Sequence, residues 1–120
     1  MAIGELINWD DLEYEDARPG LWRCALGNDN VMLVYNKCHP GMETRPHSHD
    51  FEQLALILEG TGTFHLDDEP HEVKAGMALV VPAGVVHYVE PHTLLVNLDV
   101  FAPPRVDYKH LLGWMRPDAG

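Results

Sequence analysis

Glycine and proline cut this chain into short apolar runs, and that punctuation limits the fold more than any other feature. "LWRCAL" (21–26) and "VMLVYNKC" (31–38) are separated by the turn-forming "GNDN", and "FEQLALILEG" (51–60) stops at Gly60. "TGTFHLD" (61–67) and "PHEVKA" (70–75) flank "DDE", which reads as a hairpin turn. "MALVVP" (77–82), "VVHYVE" (85–90) and "TLLVNLDVFA" (93–102) complete the set. Runs of this length suit strands rather than helices, and strands at this spacing with turn residues between them make an all-β sandwich or barrel. No repeat, linker or low-complexity stretch interrupts the pattern, so one domain over residues 1–120 is expected, with its barrel at about 20–103.

The run at 93–102 is the most informative. Alternate strand residues share a face. Leu94, Val96, Leu98, Val100 and Ala102 form a wholly apolar face, suited to packing on another layer or a partner subunit. Leu95, Asn97, Asp99 and Phe101 form the other, a mixture expected of a concave interior with a few placed polar groups. Pro103-Pro104 ends the strand. Beyond it Asp107 can cap a short helix, with Tyr108, Leu111, Leu112 and Met115 at helical spacing. Trp9, Trp22 and Trp114 are read as packing residues.

The formal net charge of -11 repels nucleic acid and anionic lipid, so neither is an expected partner. No apolar run reaches the length of a membrane span. The acidic start "MAIGELINWDDLEYED" does not read as a signal peptide, so the expected location is the cytoplasm. There Cys24 and Cys38 are expected to be reduced, buried thiols.

Of the eight histidines, His71, His92 and His110 read as surface residues, as does His39, while His65 sits mid-strand. His47 and His49 differ. In "RPHSHDFEQ" they share parity with Gln53, so one continuous strand would aim all three the same way, an arrangement that suits a metal. Glu52 lies one position off and would face outward. Downstream, "GMALVVPAGVVH" (76–87) adds Gly76, Pro82, Gly84 and His87.

The two clusters, Gly41-x5-His47-x-His49-x3-Gln53-x6-Gly60 and Gly76-x5-Pro82-x-Gly84-x2-His87, resemble the two signature motifs of the cupin superfamily. The resemblance implies a double-stranded β-helix, or jelly-roll, barrel with a short C-terminal helix and one divalent transition metal ion in its mouth. The ligands it implies are His47, His49 and His87 with the residue at 53, where Gln53 replaces the usual acid. Three imidazoles and a carboxamide are all neutral, so the ion keeps its full charge. That favours Lewis-acid chemistry on a substrate oxygen over redox chemistry. Nickel, zinc, manganese and iron all accept such ligands.

Asp99 is an acid in an otherwise apolar strand, a candidate general acid/base. Arg105, beyond the proline break, is a candidate clamp for a carboxylate. "HSHDFEQ", "PHEV" and "LDVFAPPRVDY" (98–108) are similar to the small KdgF-type cupins, which convert ring-form unsaturated uronates into linear keto sugars. That resemblance implies metal ligands His47, His49, Gln53 and His87 and a catalytic set of Asp99, Phe101 and Arg105. The expected function is therefore ring opening or tautomerisation of a small anionic, sugar-like metabolite. An iron-dependent dioxygenase of a small phenol or diketone and a non-catalytic metal- or sugar-binding module are the alternatives. No helix-turn-helix is read here, which disfavours a stand-alone transcription factor. A homodimer is expected, since small cupins are commonly dimers.

Overall fold

The computed structural model describes residues 5–112. Nine strands form two antiparallel sheets: β1 (Glu15–Arg18), β2 (Leu21–Gly27), β3 (Met32–Cys38), β4 (Gln53–Glu59), β5 (Thr61–Leu66), β6 (Glu69–Lys74), β7 (Ala78–Val81), β8 (His87–Pro91) and β9 (Leu95–Phe101). The larger sheet runs β1-β2-β3-β9-β4-β7 and the smaller β6-β5-β8. The expected all-β cupin barrel is what forms.

Turn chemistry explains how the strands are joined. Asp67 at φ 51 makes the tight turn that brings Leu66 opposite Glu69, a backbone region that Asp tolerates better than most residues. Gly60 reverses the chain between β4 and β5 at φ 86, and a Cβ there would stand 1.9 Å from the Leu94 carbonyl oxygen. Only glycine fits.

Sheet register sets the interior. On the inner face of the large sheet, Leu21, Cys38 and Leu95 lie in one row, Arg23, Asn36 and Asn97 in the next, and Ala25, Val34, Asp99 and Ala55 in the third. One apolar cluster gathers around Leu21, Cys38, Ile57, Phe64 and Leu95. A second gathers around Met32, Val34 and Phe101. The polar row of Arg23, Asn36 and Asn97 lies between them. The outer face carries Leu26, Leu33, Val100, Leu54 and Val80 as an unbroken apolar row across five strands. Leu54 and Val80 remain 46% and 59% exposed. Trp9 stacks on Tyr35 elsewhere on this face, at 4.7 Å between centroids.

The C-terminal element is a correction. Instead of an α-helix capped by Asp107, residues Val106–Leu112 form a 3-10 segment. Its first link runs from the Tyr108 N–H to the Arg105 carbonyl at 3.3 Å. The Asp107 carboxylate that was to cap a helix is held by Arg105 instead. Trp114 and Met115 lie outside the described residues.

Candidate metal centre and cavity

The sequence places His47 and His49 on one strand with Gln53, but the chain between Cys38 and Gln53 is not a strand. His47 is fixed instead by an isolated antiparallel bridge to His87, in which each backbone N–H donates to the other's carbonyl, at 3.1 and 2.8 Å. This bridge joins the two motifs and brings the two rings to 4.3 Å between centroids. His49 is tied in by its carbonyl, which accepts from the Gly84 N–H at 2.7 Å. One ring nitrogen from each of His47, His49 and His87 can be chosen so that all lie within 4.8 Å of one another.

The tautomers follow from the partners of Nδ1. His47 Nδ1 lies 2.8 Å from the Arg45 carbonyl, His49 Nδ1 2.6 Å from that of Phe51, and His87 Nδ1 2.9 Å from that of Val85. A carbonyl only accepts, so each Nδ1 carries a proton and Nε2 is the ring nitrogen left to ligate. His87 Nε2 is buried with no hydrogen-bond partner among the described residues. An orphaned buried acceptor is costly, and bare Nε2 atoms oriented through Nδ1–H to backbone carbonyls are how metal-ligating histidines are held. Burial pulls the His87 pKa down to about 4, and His47, His49 and Arg105 add repulsion against the opposing Val85 hydrogen bond. The ring is thus neutral and ready to ligate at ordinary pH.

Gln53 is the fourth candidate. It is buried at the start of β4, close enough to Asp99 for its amide to lower that carboxyl's pKa. A carboxylate accepts, so the amide NH2 faces Asp99. The amide oxygen then faces His49 Nε2, 3.2 Å away. Two lone pairs confronting one another repel, and a cation shared between them removes the repulsion. The donor set therefore fits a divalent transition metal, whose identity these neutral ligands leave open. Glu52 is exposed.

Asp99 sits behind the amide. Its Oδ2 accepts from Asn36 Nδ2 and its Oδ1 from Asn97 Nδ2, both at 2.9 Å. Burial pushes its pKa up to about 6, against the pull of the Gln53, Asn36 and Asn97 hydrogen bonds and of Arg105. Phe101 is 1% exposed and stands edge-on to His49 and Phe51. Arg105 is buried, with its guanidinium carbon 3.7 Å from the Tyr108 ring centroid and about 5 Å from Phe51 and Phe101. Its Nε and Nη2 both hold Asp107, at 3.0 and 2.7 Å.

His47, His87, Gln53, Asp99 and Arg105 all line one cavity that opens to solvent at its mouth. Arg18 and Arg23 line it too, and the sequence reading overlooked both. Arg23 was legible: it shares parity with the inward-facing Leu21 and Ala25. His65 is engaged elsewhere, stacked on Tyr88 and 2.7 Å from Glu90.

Two antiparallel sheets closed around a polar-lined mouth with clustered histidines define a cupin. The chain belongs to the AraC-like ligand binding domain family, whose model matches residues 30–99. A RmlC-like cupin from Shewanella frigidimarina superposes with a TM-score of 0.80 at 28% identity, over 88% of this chain and 96% of that one. KdgF from a Halomonas species superposes with a TM-score of 0.78 at 25% identity, over 88% and 98%. The dimethylsulfoniopropionate lyase DddW of Ruegeria pomeroyi is 44% identical over 58 residues, which cover 48% of this chain and only 38% of that protein. No helix among the described residues is long and apolar enough to cross a membrane.

Proposed function

We propose that this chain is a metal-dependent cupin enzyme that opens or tautomerises the ring of a small carboxylated, sugar-like substrate of the unsaturated uronate class. The observation that carries this reading is the Gln53 amide held between His49 and Asp99, which couples a neutral ligand set to a proton-transfer group. The likeness to KdgF over nearly the full length of that protein supports it.

His47, His49, His87 and Gln53 would hold a divalent ion, which would supply a Lewis acid for a substrate oxygen. The other roles belong to side chains. Asp99 moves the proton. A carboxylate offers about four lone-pair sites; Asn36 and Asn97 each occupy one, and room remains for the substrate. A pKa near 6 suits an acid/base group that must both take and return a proton near neutrality. Arg105 receives the carboxylate on the edge that Asp107 does not occupy. Phe101 keeps His49 and Arg105 in place and water out.

The 44% local identity to the lyase favours a second reading, elimination from a small carboxylate. The three arginines in the cavity wall count against a substrate bearing a cationic sulfonium. The family's character as ligand-binding domains keeps a non-catalytic binder in view. The buried free cysteines support a reducing, cytoplasmic setting, and the apolar outer face supports a homodimer.

The test is metal analysis of untagged protein beside a His47→Ala/His49→Ala variant, followed by turnover assays on an unsaturated uronate and on dimethylsulfoniopropionate. About one equivalent of metal, lost in the variant, with uronate consumption abolished in Asp99→Ala, is the expected result. Metal without turnover of either compound would leave a binding module.

A further inference from the structure

The chain has five arginines, and three of them, Arg18, Arg23 and Arg105, line the cavity. In a protein of net charge -11 that concentration is specific to the site. The three charges are not equally balanced. Arg105 holds Asp107 at two points. Arg23 gives its Nε to Glu15 Oε2 at 2.8 Å. Arg18 gives its Nε to a neutral group, the Glu43 backbone carbonyl, at 2.9 Å. No ion pair among the described residues includes it.

Two features make Arg18 more than a stray surface cation. It stands where β1 slips register on β2, between the Asp16–Trp22 and Arg18–Leu21 pairs, and such irregularities re-aim side chains. Its surroundings also oppose its charge. Burial, then the guanidiniums of Arg45 and Arg23, pull its pKa below the usual arginine value. A guanidinium stays protonated in proteins, so an anion relieves this cost where deprotonation cannot. With Nε committed to Glu43, the Nη1/Nη2 edge remains, a two-pronged donor that matches an oxyanion.

We infer that Arg18, with Arg23 beside it, forms a second anion subsite in the cavity, so that the preferred ligand within the uronate class is a dianion, an acid bearing a second anionic group. The inference rests on the reading that Arg105 receives the first carboxylate. The neutral amides of Asn36 and Asn97 line the wall alongside. They offer hydrogen bonds without cancelling the charge.

The test is calorimetric binding to chelator-treated, metal-free protein, using matched mono- and diacids: butyrate against glutarate, galacturonate against galactarate. Wild type is expected to bind each diacid at least about tenfold more tightly, as an added two-point guanidinium contact implies. Arg18→Gln is expected to erase that preference while leaving monoacid affinity within about twofold. Arg105→Gln should weaken mono- and diacids alike. Should the glutamine variant fail to fold, Arg18→Met, which keeps the packing stem and drops the charge, reads the same ratio. Equal binding of mono- and diacids by wild type overturns the proposal. So does a preference that survives loss of Arg18, or a monoacid loss in Arg18→Gln as large as the diacid loss. Absence of metal or of uronate turnover would sink the enzymatic reading and leave these ratios unaffected.

Discussion

The side-chain oxygen of Gln53 faces Nε2 of His49 at 3.2 Å, acceptor against acceptor. The Phe51 carbonyl holds the proton on His49 Nδ1, and Asp99, whose pKa the amide lowers, lies on the other side of Gln53. Gln53→Glu would turn this relay into two adjacent carboxylates. We expect the variant to keep its metal, since a carboxylate is a better ligand than an amide, and to lose at least about tenfold in turnover, because the ion's charge is partly cancelled and Asp99 loses a donor. Metal content and kcat, measured together, check this. Full activity would remove the amide from the mechanism.

The pH dependence of folding in the metal-free protein contains two opposed contributions. The His87 pKa falls from 6.5 to about 4 on folding. Between those values the unfolded chain holds a proton that the folded chain lacks, so stability rises with pH across that window. The Asp99 pKa rises from 3.8 to about 6. Between those values the folded chain holds the extra proton, so stability falls as pH rises. The windows overlap and the slopes offset. Asp99→Asn removes one of them, so its urea midpoint should climb more steeply than wild type between pH 4 and 6. Parallel curves would mean that Asp99 is not shifted.

Tyr108 carries two guanidiniums over its ring, Arg105 at 3.7 Å and Arg23 at 4.3 Å. Each contact of this kind contributes roughly 0.5–2 kcal/mol. Tyr108→Leu should let both arginines wander and raise KM for an anionic substrate about three- to tenfold, with a smaller change in kcat. Tyr108→Phe keeps the ring face and should resemble wild type. Steady-state kinetics on the pair separates the ring from the hydroxyl.

Gly60 is required on steric grounds alone. In Gly60→Ala the methyl group meets the Leu94 carbonyl oxygen at 1.9 Å, at a φ of 86 that alanine disfavours. We expect a loss of about 2 kcal/mol or more, visible as a fall in Tm of roughly 8 °C. A melting temperature within a degree or two of wild type would mean that the β4–β5 turn relaxes without cost.

The fold was legible because alternation, turn residues and proline breaks agree along the whole barrel. The odd face of β9 was read correctly: Asn97 and Phe101 are buried, and Asp99 faces the cavity. The route by which His47 meets His87 was not legible. A lone backbone bridge between two loops leaves no periodic trace. The C-terminal element misled for a different reason. Its apolar spacing suited a helix, but Asp107 is drawn to Arg105, two residues back, and the segment tightens to 3-10 geometry. Arg18 was hidden by the register slip in β1, which parity cannot anticipate.

The prolines in the smaller sheet also bear on how the molecule behaves in a crowded solution. Its two border strands each include one, Pro70 in β6 and Pro91 in β8. The larger sheet ends in four-residue strands, β1 with its slipped register and β7 halted by Pro82. Among the described residues every border strand is thus short, bent or interrupted by proline, which disfavours templating another chain. Growth into fibres by adding strand to strand is opposed at each of these edges.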